Sequence, residues 1–170
     1  MVDRLLGLLK VRVVRGVNLA VRDSRSSDPY VVLRMGNQKL KTRAIKNSVN
    51  QEWDEELTLS IEDPTIPIKL EVYDKDTFTA DDPMGDAEFE ILSLFEVSRT
   101  DLAGIPDGQV IRKQVPSRQN CLAGESNIKW VNGKVVQELC LKLRNVESGE
   151  IELKLIWVDV PRAKGSSKTT

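Results

Sequence analysis

The sequence predicts an all-β protein, an antiparallel sandwich of eight short strands. The main observation is a repeated alternation of apolar and charged residues, with turn residues between the alternating segments. Such alternation means that each sheet buries one face and leaves the other in water. The length of 170 residues, 40% of them hydrophobic, suits one domain of ordinary size with its own core.

The eight strands follow one another along the whole chain. They are predicted at residues 9–14, 29–35, 38–45, 56–61, 68–73, 85–91, 137–143 and 150–157. Residues 92–133 lack the alternation, and their first residues favour a short helical turn. A connection this long is uncommon inside a compact domain and is usually functional or disordered. We therefore predict a domain at 1–160, a partly helical insert at about 92–133 before the seventh strand, and a flexible polar tail at 161–170.

The composition argues against catalysis. The chain has no histidine, which removes the commonest general base, the Ser-His-Asp and Cys-His arrangements and most zinc sites. Cys121 and Cys140 form no CxxC motif, and they fit a reducing compartment. The sequence shows no apolar run of membrane-spanning length and no layout of a secretory signal. We expect a non-enzymatic protein of the cytoplasm or nucleus.

Aspartates cluster in two segments that follow predicted strands. They are Asp23 and Asp28 in the first segment, and Asp74, Asp76 and Asp82 in the second. Carboxylates on two loops are what Ca²⁺ requires, because it takes 6–8 oxygen ligands in a flexible shell. A lone Asp-x-Asp is more often a solvated turn. An EF-hand does not fit, because its closing glutamate, counted from Asp74, would be Gly85.

Four separated motifs together resemble the signature of the C2 domain family. They are Ser-Asp-Pro-Tyr-Val at 27–31, Tyr-Asp-Lys-Asp at 73–76, Asp-Pro-Met-Gly at 82–85 and Asn-Gln-Glu-Trp-Asp-Glu at 50–55. In the last motif Trp53 matches the family's "NPxW" turn, with Gln51 replacing the proline. The resemblance covers residues 5–160 and implies a Ca²⁺-binding C2 sandwich.

The resemblance also implies the ligands of two or three Ca²⁺ ions. The carboxylates would be those of Asp23, Asp28, Asp74, Asp76 and Asp82, and the carbonyls those of Arg22 and Lys75. Asp81 would be the neighbour of a ligand. Bound Ca²⁺ would offset the carboxylate charge and take a lipid phosphate oxygen, so the implied partner is an anionic phospholipid membrane.

The first strand leads directly into the aspartate segment and a strand closes the chain, which resembles the type II, phospholipase-like order of C2 strands. More narrowly, the chain resembles the small plant single-C2 proteins called CAR (C2-domain abscisic-acid-related), which carry an insert like residues 119–126. That resemblance implies Ca²⁺-dependent recruitment of abscisic acid receptors of the PYR/PYL type to the plasma membrane. It also implies activation of a partner GTPase or Obg-like ATPase.

Two further groups are candidates for membrane contact. Phe78 lies between predicted ligands in a polar loop, and we expect it to be exposed and to insert into lipid. Lys39, Lys41 and Arg43 alternate along one strand, so they share a face. That face is either an ordinary solvated side of a sheet or a binding surface for phosphoinositide headgroups. Nucleic acid is a third and weaker interpretation, because no aromatic residues interleave with the bases.

The insert is the candidate partner site. It carries Arg112, Lys113, Arg118 and Trp130 among glycines and apolar residues. The alternative is a loop of variable sequence without a role. Three classes of function therefore stay open: a Ca²⁺-dependent membrane adaptor, a Ca²⁺-independent scaffold, and an activator of nucleotide hydrolysis. The activator would act in trans, because the chain has no glycine-rich phosphate loop.

Overall fold

The computed structural model describes residues 4–20, 28–45, 51–76 and 78–161. Within them, the chain forms ten strands and one helix. In chain order they are β1 (Gly7–Val17), β2 (Pro29–Met35), β3 (Gln38–Lys41), β4 (Glu52–Ile61), β5 (Ile68–Asp74), β6 (Asp82–Phe89), α1 (Leu92–Ser98), β7 (Gln109–Gln114), β8 (Ser126–Val131), β9 (Lys134–Lys142) and β10 (Glu150–Asp159).

The strands form two sheets that pack face to face, which confirms the predicted all-β antiparallel sandwich. The large sheet has the order β4-β1-β10-β9-β8-β7, and the small sheet has the order β3-β2-β5-β6. The strand pairs are antiparallel. Alternate residues face the interior; in β10 they are Ile151, Leu153, Leu155 and Trp157. β1 and β10 lie side by side in the large sheet, and the type II order stays a prediction.

The predicted insert contains more regular structure than its sequence suggested. The helical turn is present as α1, but two stretches that lack alternation form β7 and β8. These strands extend the large sheet beyond β9. β7 is an edge strand whose register shifts between Val110 and Arg112, and its residues are exposed or half-buried. Apolar and polar residues alternate in a sequence when a strand buries one regular face. A strand with a shifted register at a partly solvated edge has no such face, so its sequence does not alternate. Among the described residues, no helix is long and apolar enough to cross a membrane.

The two ends of the sandwich are distinct. At one end β1 finishes, with Val17 paired to Glu150, and we call it the aspartate end. The indole N–H of Trp53 donates to the carbonyl of Pro29 at 3.0 Å, which brings the start of β2 to that end. At the other, distal end Gly7 pairs with Asp159. β1 spans roughly 30 Å between the two ends, at about 3.3 Å a residue.

A second link joins the sheets along one side. Asp86 in β6 and Arg144 exchange backbone hydrogen bonds of 3.1 and 2.7 Å. The Asp86 carboxylate also accepts from the Arg144 guanidinium at 3.1 and 2.8 Å and from the Asn145 amide at 2.8 Å. Gly85 permits this approach, because its φ is +105° and a Cβ there would lie 2.6 Å from Val146.

Candidate calcium and membrane site

The site begins where three strands of the small sheet meet at the aspartate end. Asp74, the last residue of β5, pairs with Pro29 on one side and with Asp82 on the other. Asp28 directly precedes Pro29. Neighbouring strands lie about 4.8 Å apart, so three predicted ligands stand side by side across β2, β5 and β6.

Asp28 and Asp74 are directly connected. The Asp74 carboxylate accepts a hydrogen bond from the Asp28 backbone N–H at 2.8 Å. In return, the backbone N–H of Lys75 donates to the Asp28 carbonyl at 3.1 Å. These bonds hold the residue before β2 against the end of β5. Asp28 of the first segment and Asp74 of the second are therefore joined by direct hydrogen bonds.

One carboxylate oxygen at this point has no hydrogen-bond partner among the described residues. The Oδ1 atom of Asp28 is buried and accepts no hydrogen bond from the described residues, and the neighbouring Asp74 is 4% exposed. A buried carboxylate oxygen without a donor is costly unless a cation or water approaches it. The donor set is composed of hard oxygens, which suits Ca²⁺. These residues therefore fit the metal that the sequence predicts.

The loop after β5 is organised around Asp76 and Asp81. The Asp76 carboxylate accepts from the backbone N–H of Phe78 at 3.0 Å, and the Asp76 N–H donates to Asp81 at 2.9 Å. The other Asp81 oxygen accepts from the hydroxyl of Tyr30. These donors lower the pKa of Asp81, with the Tyr30 hydroxyl as the main cause and the Asp76 N–H next. Burial, followed by Asp81, raises the pKa of Tyr30 to about 12.

Asp81 is thus occupied in shaping the loop, whereas Asp82 lies beside Asp74 at the start of β6 and is exposed. The assignment of Asp82 as a ligand and of Asp81 as its neighbour stays a prediction. Sequence reasoning missed the Tyr30 hydroxyl as the group that holds Asp81. The only signal for it was the tyrosine of the Ser-Asp-Pro-Tyr-Val motif, which is not itself a ligand position.

Two of the predicted ligands belong to a segment that the structure does not describe. Arg22 and Asp23 lie outside the described residues. Within the described ranges, no three acidic or thiol side chains converge closely enough to hold a metal ion by themselves. Lys75 is exposed between Asp74 and Asp76. The role of each ligand remains a prediction.

The predicted membrane-contact residues are exposed. Phe78 is 92% exposed, at the tip of the loop that carries Asp76. Lys39 and Lys41 in β3, and Arg43 just after it, are exposed as well. The Lys41 ammonium lies 5.9 Å from the centre of the Tyr30 ring, which places β3 beside the aspartate loops. Arg43 differs from the two lysines, because its guanidinium lies 3.7 Å from the Glu55 carboxylate.

The predicted partner residues do not form one group. Arg112 pairs with Glu96 of α1 at 2.7 Å, and Lys113 pairs with Glu125 at 3.6 Å. Arg118 is exposed and has no ion pair among the described residues. Trp130 is half-buried at the distal end and packs against the core. Of the three basic residues, Arg118 is the one whose charge is available to a partner.

Comparison with known proteins gives concordant similarities. The family model described as "C2 domain" matches residues 7–103. The chain is 63% identical to "GTPase activating protein 1" of Oryza sativa subsp. indica, over 97% of this chain and 99% of that protein. It is 55% identical to "Protein C2-DOMAIN ABA-RELATED 3" of Arabidopsis thaliana, over 97% of this chain and 98% of that protein.

Solved structures support the same fold. The calcium-bound pair of C2 domains of Extended-Synaptotagmin 2 matches with a TM-score of 0.62 at 20% identity, covering 91% of this chain and 46% of that one. The first C2 domain of plant Extended Synaptotagmin 1 matches with a TM-score of 0.59 at 21% identity, covering 94% of this chain and 100% of that one. At such low identity the likeness concerns the fold alone.

Proposed function

Because the chain belongs to the C2 domain family, and its full-length relatives include C2-domain ABA-related proteins, we propose that it is a Ca²⁺-dependent phospholipid-binding module. It would dock on anionic membrane through the aspartate end and act as an adaptor, without catalysing a reaction itself. The observation that carries the proposal is the buried Oδ1 of Asp28, which has no partner in the described part of the chain and lies beside Asp74, whose carboxylate accepts from the Asp28 N–H.

The aspartate end would work as an electrostatic switch. Without metal, its carboxylates repel one another and repel anionic lipid. Bound Ca²⁺ would supply positive charge and accept a lipid phosphate oxygen. Asp28 and Asp74 would hold the ion, since their two segments are already joined. Lipid and metal would then each raise the other's affinity.

Phe78 and the β3 bases would add the rest of the membrane affinity. Transfer of the exposed Phe78 ring into lipid would contribute roughly 1.5–3 kcal/mol. Each base near an anionic surface adds on the order of 1 kcal/mol. In this view the protein is cytoplasmic at low Ca²⁺ and peripheral at the plasma membrane when Ca²⁺ rises.

Ca²⁺ is expected to raise the melting temperature of the protein, because only the folded chain brings Asp28 and Asp74 together. A concentration about 100 times the dissociation constant adds ~2.7 kcal/mol, which corresponds to roughly 5–10 °C for a chain of this size. Differential scanning fluorimetry with Ca²⁺, Mg²⁺ and EDTA measures the melting temperature. The assignment of the site is wrong if Ca²⁺ does not raise the melting temperature, or raises it no more than Mg²⁺ does.

Replacing Lys39 and Lys41 with alanine is expected to weaken binding to phosphoinositide-rich vesicles by roughly 10- to 30-fold, and binding to phosphatidylserine vesicles less. Adding Arg43→Ala should contribute little, because Glu55 already pairs with Arg43. Sedimentation with both vesicle types provides the measurement, and Lys129→Ala with Lys134→Ala on the large sheet is the matched control. Equal losses of binding to both kinds of vesicle would mean that the two lysines act only through general electrostatic attraction.

A second function is favoured by the exposed Arg118 and by the relative named "GTPase activating protein 1". The surface of the insert would bind a protein partner: an abscisic acid receptor, or a GTPase or Obg-like ATPase. Trp130 lies at the distal end, roughly 30 Å from the aspartates, so a partner that binds at Trp130 would not compete with the membrane.

Arg118→Lys is expected to lower stimulation of the partner's nucleotide hydrolysis at least about tenfold, because lysine cannot present the bidentate guanidinium. Lipid binding should not change. Arg112→Lys is the control, since Glu96 already engages Arg112. Full stimulation by the Arg118 variant would exclude a role in trans catalysis. Partner binding that survives loss of the aspartates would indicate a Ca²⁺-independent scaffold.

A further inference from the structure

The loop after β5 has few buried contacts of its own. Its described residues are mostly exposed, namely Lys75, Asp76, Phe78, Thr79 and Ala80, and only Asp81 at its end is half-buried. A segment with little buried surface opens at a small cost in free energy unless polar contacts hold it. The position of this loop therefore depends on its hydrogen bonds.

Those hydrogen bonds form a continuous chain that begins outside the loop. The Tyr30 hydroxyl donates to one oxygen of Asp81, and the other Asp81 oxygen accepts from the Asp76 N–H at 2.9 Å. The Asp76 carboxylate in turn accepts from the N–H groups of Phe78 at 3.0 Å and of Thr79 at 3.4 Å. The exposed tip of the loop and the predicted ligand Asp76 are thus connected to a side chain of β2.

Tyr30 links the two predicted ligand segments to each other. It lies in β2, two residues after Asp28, whereas Asp81 directly precedes β6. β5 separates these two strands in the small sheet, so the bond joins elements that are not neighbours. It therefore adds a second connection between the segments, besides the Asp28 N–H that donates to Asp74 at 2.8 Å.

The Tyr30 ring is held independently of its hydroxyl. It stacks on the ring of Tyr73, its register partner in β5, with 5.7 Å between the ring centroids and 28° between the planes. The Lys41 ammonium lies 5.9 Å from the centre of the Tyr30 ring. Both contacts involve the ring alone, so a phenylalanine at this position would keep them and lose only the bond to Asp81.

We propose that Tyr30 is a positioning residue for the Ca²⁺ site. Its hydroxyl holds Asp81, and through Asp81 it fixes Asp76 and the Phe78 tip relative to Asp28 before the metal arrives. A loop that is already in place loses less conformational freedom on binding, and such preorganisation raises affinity. This inference rests on the proposed Ca²⁺-dependent function, and it assigns Tyr30 a role through Asp81 rather than as a ligand.

Tyr30→Phe tests this role in the full chain. The Ca²⁺ dissociation constant in the absence of lipid, measured by isothermal titration calorimetry, should rise about threefold. In EDTA, the backbone ¹⁵N order parameters of Asp76 and Phe78 should fall, because the bond that holds the loop is lost in the metal-free protein as well. This second measurement does not depend on bound Ca²⁺.

Tyr73→Phe is the matched control. It removes a phenolic hydroxyl from the same ring stack, but that hydroxyl interacts with Glu71 and Arg34, which lie outside the loop. The Ca²⁺ affinity and the order parameters of the loop should therefore stay at their wild-type values. Asp81→Ala removes the acceptor, so adding Tyr30→Phe to it should cause no further loss in either measurement.

Several results would overturn the proposal. Wild-type Ca²⁺ affinity in Tyr30→Phe, or lower affinity with unchanged order parameters, would mean that the hydroxyl does not position the loop. Equal losses in Tyr73→Phe would indicate a general effect of the ring stack, and additive losses in the double variant would mean that Tyr30 does not act through Asp81. A wild-type protein that binds no Ca²⁺ would refute the proposed function together with this inference, whereas normal binding by the Tyr30 variant would refute the inference alone.

Discussion

Asp74→Asn is expected to abolish Ca²⁺-dependent sedimentation of the protein with anionic liposomes. Asp74 lies between Asp28 and Asp82, two other predicted ligands, and is 4% exposed, so its charge is central to the candidate site. Asparagine keeps an oxygen that can accept from the Asp28 N–H, and the change therefore isolates the charge from the hydrogen bond. Since Ca²⁺ affinity follows the number of charged ligands, we expect the affinity for Ca²⁺ to fall at least about tenfold.

Asp81→Asn is the matched control, because it removes an equal charge from the same loop. Tyr30 and the Asp76 N–H already engage the Asp81 carboxylate, and Ca²⁺ binding should fall much less than in the Asp74 variant. Melting in EDTA should show that both variants fold, with a slightly lower melting temperature for the Asp81 variant, because its carboxylate accepts from Tyr30 and from the Asp76 N–H. Normal sedimentation of the Asp74 variant, or equal losses in the two variants, would refute the assignment.

Trp53→Ala is expected to cause the largest loss of stability, ~3–5 kcal/mol in the free energy of unfolding. The indole ring is 1% exposed in the core, and its N–H donates to the Pro29 carbonyl at 3.0 Å. The residue thus fills the space between the sheets and also fixes the strand that follows Asp28. Chemical denaturation followed by circular dichroism measures the change.

Trp53→Phe separates the two contributions. Phenylalanine retains much of the buried volume but loses the hydrogen bond to Pro29, which costs about 1 kcal/mol plus the effect of a small cavity. The free energy of unfolding of the phenylalanine variant should therefore lie between those of the wild type and the alanine variant. An alanine variant that loses less than about 1 kcal/mol would mean that the sheets repack without the indole.

The strands that bury one regular face were predictable from the sequence, and the strands of the insert were not. β10 has a readable pattern, since Ile151, Leu153, Leu155 and Trp157 alternate with residues that remain partly in water. β7 has neighbours on one side only and a shifted register, so its sequence carries no such signal. Its pairing with β8 depends on long-range contacts, which local patterns do not encode.

For the candidate site, motif spacing predicted the residue types but not their partners. Alternation indicated that Lys39, Lys41 and Arg43 share an exposed face, yet only the structure shows that Glu55 pairs with Arg43. Likewise, Arg112 is paired with Glu96, 16 residues earlier in the chain. Such pairs form between separate elements, and no period in the sequence announces them.

The direct pairing of the first and last strands has a mechanical consequence. Gly7 lies opposite Asp159, and β1 and β10 run antiparallel along their length. A force applied between these two ends would load the inter-strand hydrogen bonds one after another, from the distal end inward, rather than all at once. Strands that peel apart in sequence resist less force than strands that slide past each other. Under tension the sandwich should therefore open first between β1 and β10, starting at the distal end. The aspartate end of this strand pair, where Val17 pairs with Glu150, should separate last.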